Sequence, residues 1–264
     1  MNPPTAYTNY EAQVIGSLNW YKDPTLINAI VDLVQRNHST TLFDLCCGTG
    51  QLYPIICQFY TKIYAVDLSP EMIQNSLRNN QRFKEKIVYT CGDAARFMES
   101  HLAYFHDDVD FLFKNCMQFL NLPHIVSQFR RIKYNRCFVV NTINKSPWNF
   151  FDLLRSLNFD FVNRTQYYFT EELLDEYCSQ IGTIKESTCI SQCVPLIDWL
   201  KYHQCTEFQI DMLINYLSSL KQEDLDKYGL ERSTDSYILR RLEKIYCIAH
   251  RDTPSTENYV SLAG

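Results

Sequence analysis

The sequence lacks any apolar run long enough to cross a membrane. No stretch approaches the roughly 18 consecutive apolar residues that a spanning helix requires. Residues 1–7, Met-Asn-Pro-Pro-Thr-Ala-Tyr, also lack the charged and apolar regions of a secretory signal. These two absences predict a cytoplasmic protein with no membrane span.

An excess of positive charge is also absent. The formal net charge is −5, whereas proteins that bind nucleic acid usually present a basic face to the phosphates. Arg130, Arg131, Lys133 and Arg136 form a local basic cluster, but four such charges before a strand are typical of a solvated helix end. The composition therefore argues against a nucleic-acid partner.

The eleven cysteines include no C-x-x-C pair, the commonest element of a structural zinc site. One group has irregular spacing that could still suit a metal: Cys189, Cys193, His203 and Cys205. Free cysteine in a reduced interior explains the same residues more simply. We therefore predict no metal site.

A strand followed by a glycine turn lies at residues 42–50, Leu-Phe-Asp-Leu-Cys-Cys-Gly-Thr-Gly. Asp44 is near the carboxyl end of the apolar run, and Gly48 and Gly50 make a tight turn into a helix. Open α/β sheets bind nucleotide-like ligands at such turns, at the carboxyl ends of their strands. The turn predicts a ligand cradle.

Three further segments repeat this pattern. Residues 62–66 form a β-rich apolar run that ends in Asp67, which is placed to accept hydrogen bonds from the hydroxyls of an adenosine ribose. Residues 86–90 lead into Gly92-Asp93-Ala94, and residues 109–113 lead into Lys114-Asn115. The chain thus predicts four successive strands whose ends carry small or acidic residues.

These motifs together resemble the class I S-adenosylmethionine-dependent methyltransferases, of the type that acts on small molecules. The resemblance is close over about residues 40–145 and looser over 165–250, and Cys46 departs from it where the family most often has glycine. It implies an α/β fold with a Rossmann-like seven-stranded sheet, mostly parallel, with helices on both faces. The last strand, near residues 244–250, is expected to pair antiparallel at the sheet edge.

A dinucleotide dehydrogenase is the nearest alternative for the same pattern. Its fingerprint is Gly-x-Gly-x-x-Gly, and here Gly48 and Gly50 are followed by the bulky Tyr53 at the third glycine position. A pyrophosphate would also favour a more open loop than Cys46-Cys47-Gly48. The sequence therefore favours S-adenosylmethionine as the cofactor.

The resemblance also implies which residues contact this cofactor. They are Asp44, Cys46, Gly48, Thr49, Gly50, Asp67, Leu68, Met72, Asp93, Ala94 and Asn115. Asp44 is expected near the amino group, Asp67 at the ribose diol and Asn115 at the methionine end. Leu68 and Met72 are expected against the adenine, whose amino group Asp93 would meet. A helix cap or turn role is the simpler alternative for each polar residue.

The rest of the chain is expected to complete one domain, residues 1–264. Residues 23–35 read as an amphipathic helix, residues 136–141 as a fifth strand and residues 183–191 as another. The segments 144–168 and 192–237 read as helical and aromatic lid insertions, and 1–22 as an amino-terminal flap. Loops over the carboxyl edge of such a sheet determine specificity, so these segments are predicted to bind the substrate.

Aromatic residues are abundant, with 34 Tyr and Phe in total, and suit a flat, apolar or cationic acceptor. The residues predicted to line its pocket are Tyr10, Tyr21, Trp148, Tyr168, Trp199 and Tyr202. His203 is the candidate general base, and His124 a second; for both, a surface histidine is the plainer interpretation. The predicted function is methyl transfer to oxygen or nitrogen, in preference to carbon, of a small molecule. The alternative is a methyltransferase-like binding or sensing module, and the oligomeric state stays open.

Overall fold

An eight-stranded sheet forms the centre of the protein in the computed structural model. The structure describes residues 23–36, 39–101, 105–106, 108–117, 120–143, 150–159, 169–234 and 236–250. The strands are β1 Thr41–Leu45, β2 Lys62–Asp67, β3 Ile87–Cys91, β4 Val109–Lys114, β5 Arg136–Ile143, β6 Thr183–Pro195, β7 Leu230–Arg232 and β8 Tyr237–Ala249.

The strand order is β3-β2-β1-β4-β5-β8-β6, with the short β7 paired to β8. Strands β1 to β5 pair in parallel, whereas β8 runs antiparallel to both of its neighbours, β5 and β6. The predicted Rossmann-like, mostly parallel sheet is therefore confirmed. Two details differ from the prediction: β7 is an eighth strand, and the antiparallel last strand lies one position inside the edge, which β6 forms.

Ten α-helices are described around the sheet. They are α1 Pro24–Gln35, α2 Tyr53–Ile56, α3 Pro70–Asn79, α4 Ala94–Ser100, α5 Leu122–Phe129, α6 Phe150–Ser156, α7 Glu171–Ile181, α8 Leu196–Tyr202, α9 Glu207–Ser218 and α10 Gln222–Lys227. Side-chain caps fix several helix starts, since Asp23 accepts the Thr25 N–H before α1 and Ser69 accepts the Met72 N–H before α3.

Alternation along the strands divides the core between the two faces of the sheet. On β4, Phe111 and Phe113 pack with α4, α5 and α7, whereas Leu112 packs with α1 and α2 on the other face. A third apolar cluster lies among α6, α8, α9 and α10, around Trp199 and Leu213. None of the described helices is long and apolar enough to cross a membrane.

Strands β6 and β8 are longer than the sequence predicts. β6 continues past Ser191 to Pro195, and β8 begins at Tyr237 rather than near residue 244. Both extensions carry polar or charged residues, which weaken the apolar signal of a strand, and they pair with each other throughout. The extended pair brings β8 residues 237–243 beside the helices of the third cluster.

Candidate functional site

Four strand ends meet at one edge of the sheet, because β3, β2, β1 and β4 are parallel neighbours. All eleven residues that the sequence predicts for the cofactor lie at or just beyond these strand ends. The fold thus brings together side chains that are up to 71 residues apart, as the Cys116 thiol shows by contacting the Leu45 carbonyl.

The loop after β1 has a tightly specified backbone. The N–H groups of Cys46 and Cys47 both donate to the Val66 carbonyl, at 2.8 and 2.9 Å. Three residues adopt positive φ: Cys46 at 74°, Gly48 at 55° and Gly50 at 66°. Such angles favour glycine, so Cys46 occupies a backbone conformation suited to the glycine that the family usually has there.

The two glycines of the loop have different surroundings. A Cβ at Gly50 would lie 2.6 Å from the Tyr53 ring and would also strike Ser76 Oγ. A Cβ at Gly48 would meet no heavy atom within 4 Å. Gly50 is therefore required by packing, whereas Gly48 leaves open space at the surface of the loop.

Asp67 is held in place by the loop opposite it. Its Oδ2 accepts the Gly48 N–H at 2.8 Å, and its Oδ1 accepts the Ser69 N–H at 2.9 Å. Burial raises the pKa of Asp67, and the hydrogen bonds from Ser69, Gly48 and Leu68 oppose that rise. Each carboxylate oxygen has a second lone pair, so Asp67 can still accept from the two hydroxyls of a ribose.

Asp44 is buried behind the same loop. Its pKa is raised to about 7, mainly by burial; the hydrogen bond with Tyr53 and the charge of Lys114 oppose the rise, and the Asp67 carboxylate adds to it. Tyr53 is itself fully buried, and its ring lies against Gly50. The third glycine position of a dinucleotide loop is thus filled by an aromatic ring.

The residues predicted near the adenine differ in exposure. Leu68 is 47% exposed beside the buried Asp67, whereas Met72 and Ala94 are buried. Asp93 is exposed and caps α4, since its Oδ1 accepts the Arg96 N–H at 2.9 Å. One carboxylate oxygen of Asp93 therefore has a structural role, and its place in the cofactor site stays a prediction.

Asn115 joins the end of β4 to β5. It has a positive φ of 54°, and its N–H donates to the Val140 carbonyl at 2.7 Å. Its Oδ1 accepts the Thr142 N–H at 3.0 Å. These contacts fix the Asn115 side chain at the carboxyl edge, next to the end of β1.

A buried charged cluster extends from this point, and the sequence analysis missed it. The hydroxyl of Thr142 accepts from Arg241 Nε at 3.0 Å and donates to Glu243 Oε1, also at 3.0 Å. Arg241 and Glu243 form an ion pair at 2.9 Å, with side chains 12% and 1% exposed. Lys114 is coupled electrostatically to both.

The sequence does contain a pattern that points to Lys114, Arg241 and Glu243. Lys114 ends β4, a strand that is apolar except for Asp110 and Lys114. Arg241 and Glu243 are two residues apart on β8, so their side chains lie on the same face of the sheet. A charge on a buried strand rarely occurs without a partner or a function. The β8 pair escapes prediction because the polar and charged residues in 237–243 do not form the apolar pattern of a strand.

The predicted lid residues Trp199, Tyr202 and His203 lie together at the end of α8. The His203 ring is 4.4 Å from the Trp199 ring and 4.8 Å from the Tyr202 ring, between centroids. Burial, together with a smaller contribution from the Arg241 guanidinium, lowers the pKa of His203 to about 3. His203 is therefore neutral at physiological pH, and it is close enough to Arg241 for the guanidinium charge to affect its pKa.

Other candidates fall elsewhere. Tyr10, Tyr21, Trp148 and Tyr168 lie outside the described residues, as does the whole flap 1–22. His124 on α5 pairs with Glu99, its Nε2 lying 3.4 Å from the Glu99 carboxylate. Cys189 and Cys193 are exposed on β6, and no group of three or more His, Cys, Asp or Glu side chains in the described ranges could hold a metal.

The described residues fit an S-adenosylmethionine molecule. The open space over Gly48 lets a ligand approach the backbone closely, and Leu68 offers an exposed apolar surface beside the Asp67 carboxylate. Thr49 Oγ1 is buried without a hydrogen-bond partner among the described residues, so a polar ligand atom could satisfy it. A carboxylate, an apolar surface and an open glycine backbone are the groups that an adenosine ligand needs.

Comparison with known proteins agrees with this geometry. A family described as "Methyltransferase domain" matches residues 42–134. A search of curated protein sequences finds no match.

Several solved structures share the fold. A protein of Bacillus halodurans assigned as a methyltransferase has a TM-score of 0.65 at 16% identity, over 87% of this chain and 99% of that one. The YcgJ protein of Bacillus subtilis has a TM-score of 0.61 at 14% identity, over 85% and 98%. Phosphoethanolamine N-methyltransferase 2 of Haemonchus contortus, bound to phosphomonomethylethanolamine and S-adenosylhomocysteine, has a TM-score of 0.53 at 14% identity, over 85% and 52%.

Proposed function

We propose that this chain is a class I S-adenosylmethionine-dependent methyltransferase, and that it methylates an oxygen or nitrogen of a small molecule with an aromatic or apolar body. Its cofactor is S-adenosylmethionine. The net charge of −5 supports a small-molecule acceptor over a nucleic acid.

The cofactor supplies a methyl group on a positively charged sulfur, which is already electrophilic. The protein then has to bind both partners, align them and exclude water. In this proposal Asp67 accepts the ribose hydroxyls, Leu68 covers the adenine and the Gly48 backbone allows close approach. Asp44 and Asn115 lie where the methionine end is expected.

One observation carries the proposal: a polar connection runs from the cofactor edge toward the aromatic lid. Asn115 bonds Thr142, and Thr142 bonds Arg241. The Arg241 charge acts on His203, whose ring lies against the rings of Trp199 and Tyr202. An acceptor whose polar end meets this connection, and whose apolar body meets the rings, would reach the methyl group. We therefore place the acceptor between β5, β8 and α8.

His203 has a restricted role in this proposal. A neutral imidazole with a pKa of about 3 is a weak base, because a catalytic base works best with a pKa near the operating pH. It can still exchange a hydrogen bond with a hydroxyl or amine and orient the acceptor atom. Neutral amines need no stronger assistance.

We also propose that residues 1–264 form one domain, in which 144–168 and 192–237 cover the acceptor. The apolar cluster around Trp199 and Leu213 supports this, because it joins the second segment to Leu153 of the first segment and to Leu239 of the sheet. Limited proteolysis tests the assignment: cofactor and acceptor together should protect these segments from cleavage. Unchanged cleavage would contradict it.

The function is tested with methyl-labelled cofactor, added to the purified protein together with metabolite extracts. Mass spectrometry should detect a labelled small molecule that is absent without the protein. Calorimetry should show that the same preparation binds S-adenosylhomocysteine. Tight binding with no labelled product in any extract would favour the alternative, a methyltransferase-like binding or sensing module.

A further inference from the structure

Lys114 lies beside Asp44 on one face of the sheet. In the pairing of β1 with β4, Asp44 is opposite Leu112, and Lys114 follows two residues later. Side chains two residues apart on a strand point to the same face, so Lys114 continues the row of Asp44 and Leu112 toward the carboxyl edge. Lys114 also directly precedes Asn115, which is expected at the methionine end of the cofactor.

Charges of both signs surround the Lys114 ammonium. Glu243 of β8 and Asp44 of β1 attract it, Arg241 of β8 repels it, and the Cys116 thiol lies nearby. Burial is the dominant effect and lowers the Lys114 pKa to about 8. Titratable groups with strongly shifted pKa values cluster at functional sites, so Lys114 is a candidate to bind a ligand.

The methionine part of S-adenosylmethionine carries an ammonium and a carboxylate two bonds apart. Asp44 offers a negative charge for the ammonium, and Lys114 offers a positive charge next to it. We propose that Lys114 binds the carboxylate of the cofactor's methionine part. This assignment rests on the placement of the cofactor in the proposed function, and it adds a specific residue to that site.

Arg241 is the other cation of this charged cluster, and its contacts make it the weaker candidate. Its guanidinium is held by Thr142 and Glu243 and lies near His203, on the lid side of the cluster. Lys114 is the cation coupled to Asp44. Arg241 therefore belongs to the acceptor side and Lys114 to the cofactor side.

The experiment compares two ligands by isothermal titration calorimetry. S-adenosylhomocysteine has the carboxylate, and its decarboxylated analogue lacks it but keeps the amino group. The variant Lys114→Met should lose about 10- to 100-fold in affinity for S-adenosylhomocysteine, as expected for a charge-assisted hydrogen bond, and little for the analogue. Arg240→Met is the matched control, since Arg240 is exposed on the same strand as Arg241 and pairs with Glu231.

The pH dependence of ligand binding provides a second measurement. Loss of the Lys114 proton should reduce the preference for the carboxylated ligand between about pH 7 and about pH 9.5. Lys114→Arg, which keeps its charge, should retain the preference over this range. The α-amino group of S-adenosylhomocysteine loses its proton at lower pH than the alkylamine of the analogue, so the comparison of wild-type protein with Lys114→Arg is what isolates the titration of Lys114.

The outcomes separate the two proposals. If Lys114→Met weakens both ligands equally, or neither, the carboxylate assignment is overturned while the cofactor site stands. If wild-type protein binds both ligands equally at every pH, the assignment is also overturned. If wild-type protein binds neither ligand, the cofactor placement itself fails, and the assignment fails with it.

Discussion

Alanine substitutions at the two glycines of the β1 loop should have different consequences. Gly48 and Gly50 both adopt positive φ, at 55° and 66°, so alanine is strained at either position. Only Gly50 is packed against other atoms, because a Cβ there would lie 2.6 Å from the Tyr53 ring. A Cβ at Gly48 projects into the space that we assign to the cofactor.

The expected losses of stability follow from backbone strain at both glycines and from overpacking at Gly50. The left-handed conformation costs an alanine about 1–2 kcal/mol at either position. Overpacking against Tyr53 and Ser76 adds about 1–3 kcal/mol for Gly50→Ala alone. Gly48→Ala should therefore lower the free energy of unfolding by about 1–2 kcal/mol, and Gly50→Ala by about 2–5 kcal/mol. The methyl group of Gly48→Ala should also reduce S-adenosylhomocysteine affinity by at least about 10-fold, since it removes close backbone approach.

Urea unfolding measures the two stabilities, and calorimetry at a temperature where both variants are folded measures the affinities. Gly48→Ala should be more stable than Gly50→Ala and should nevertheless bind S-adenosylhomocysteine more weakly than wild-type protein does. Wild-type affinity in Gly48→Ala would refute the placement of the cofactor over this glycine. Equal destabilisation by the two variants would refute the packing argument for Gly50.

Three further predictions concern single residues. Asp67→Ala should weaken S-adenosylhomocysteine binding by at least about 10-fold in calorimetry, because the carboxylate facing the ribose is lost; unchanged affinity would contradict its role. Asp110, bonded by Ser39 and Tyr60, has its pKa raised by burial from 3.8 to about 6, so the folded state favours its protonated form. Its contribution should be greatest below about pH 4 and should fall by about 3 kcal/mol as pH rises through 6. Urea unfolding of Asp110→Asn should lack this component, and an unaltered pH profile would exclude it. Cys46→Gly should raise the free energy of unfolding by up to about 1 kcal/mol, since glycine accepts the φ of 74° without strain. Denaturant titration checks this, and a large loss of stability would show that the Cys46 side chain matters more than its backbone.

Much of the fold follows from local patterns in the sequence. The apolar runs that end in Asp44, Asp67 and Asn115 predict parallel strands with a common ligand edge, and the structure has that sheet. Caps such as Ser69 before Pro70 predict helix starts, because they satisfy exposed backbone N–H groups locally. These features depend on residues close together in the chain, and a single sequence can therefore show them.

The acceptor side depends on contacts that are distant in sequence. Thr142 meets Glu243 across 101 positions, and Arg241 meets Thr142 across 99. Residue spacing within a short stretch of sequence does not predict such pairs. The charged residues of β8 also interrupt the apolar pattern by which a strand is predicted. The coupling between His203 and Arg241 likewise requires α8 to be placed against β8. The position of Asp93 as a helix cap, in contrast, was already the alternative interpretation of its sequence.

A crystal structure of the protein with S-adenosylhomocysteine tests the central claim most directly, namely that the carboxyl edge of β1, β2 and β4 binds the cofactor. Both ribose hydroxyls should lie within about 3.2 Å of the Asp67 carboxylate, with the adenine against Leu68 and the thioether near Gly48. A ligand bound elsewhere, or bound at this edge with the ribose turned away from Asp67, would contradict the account.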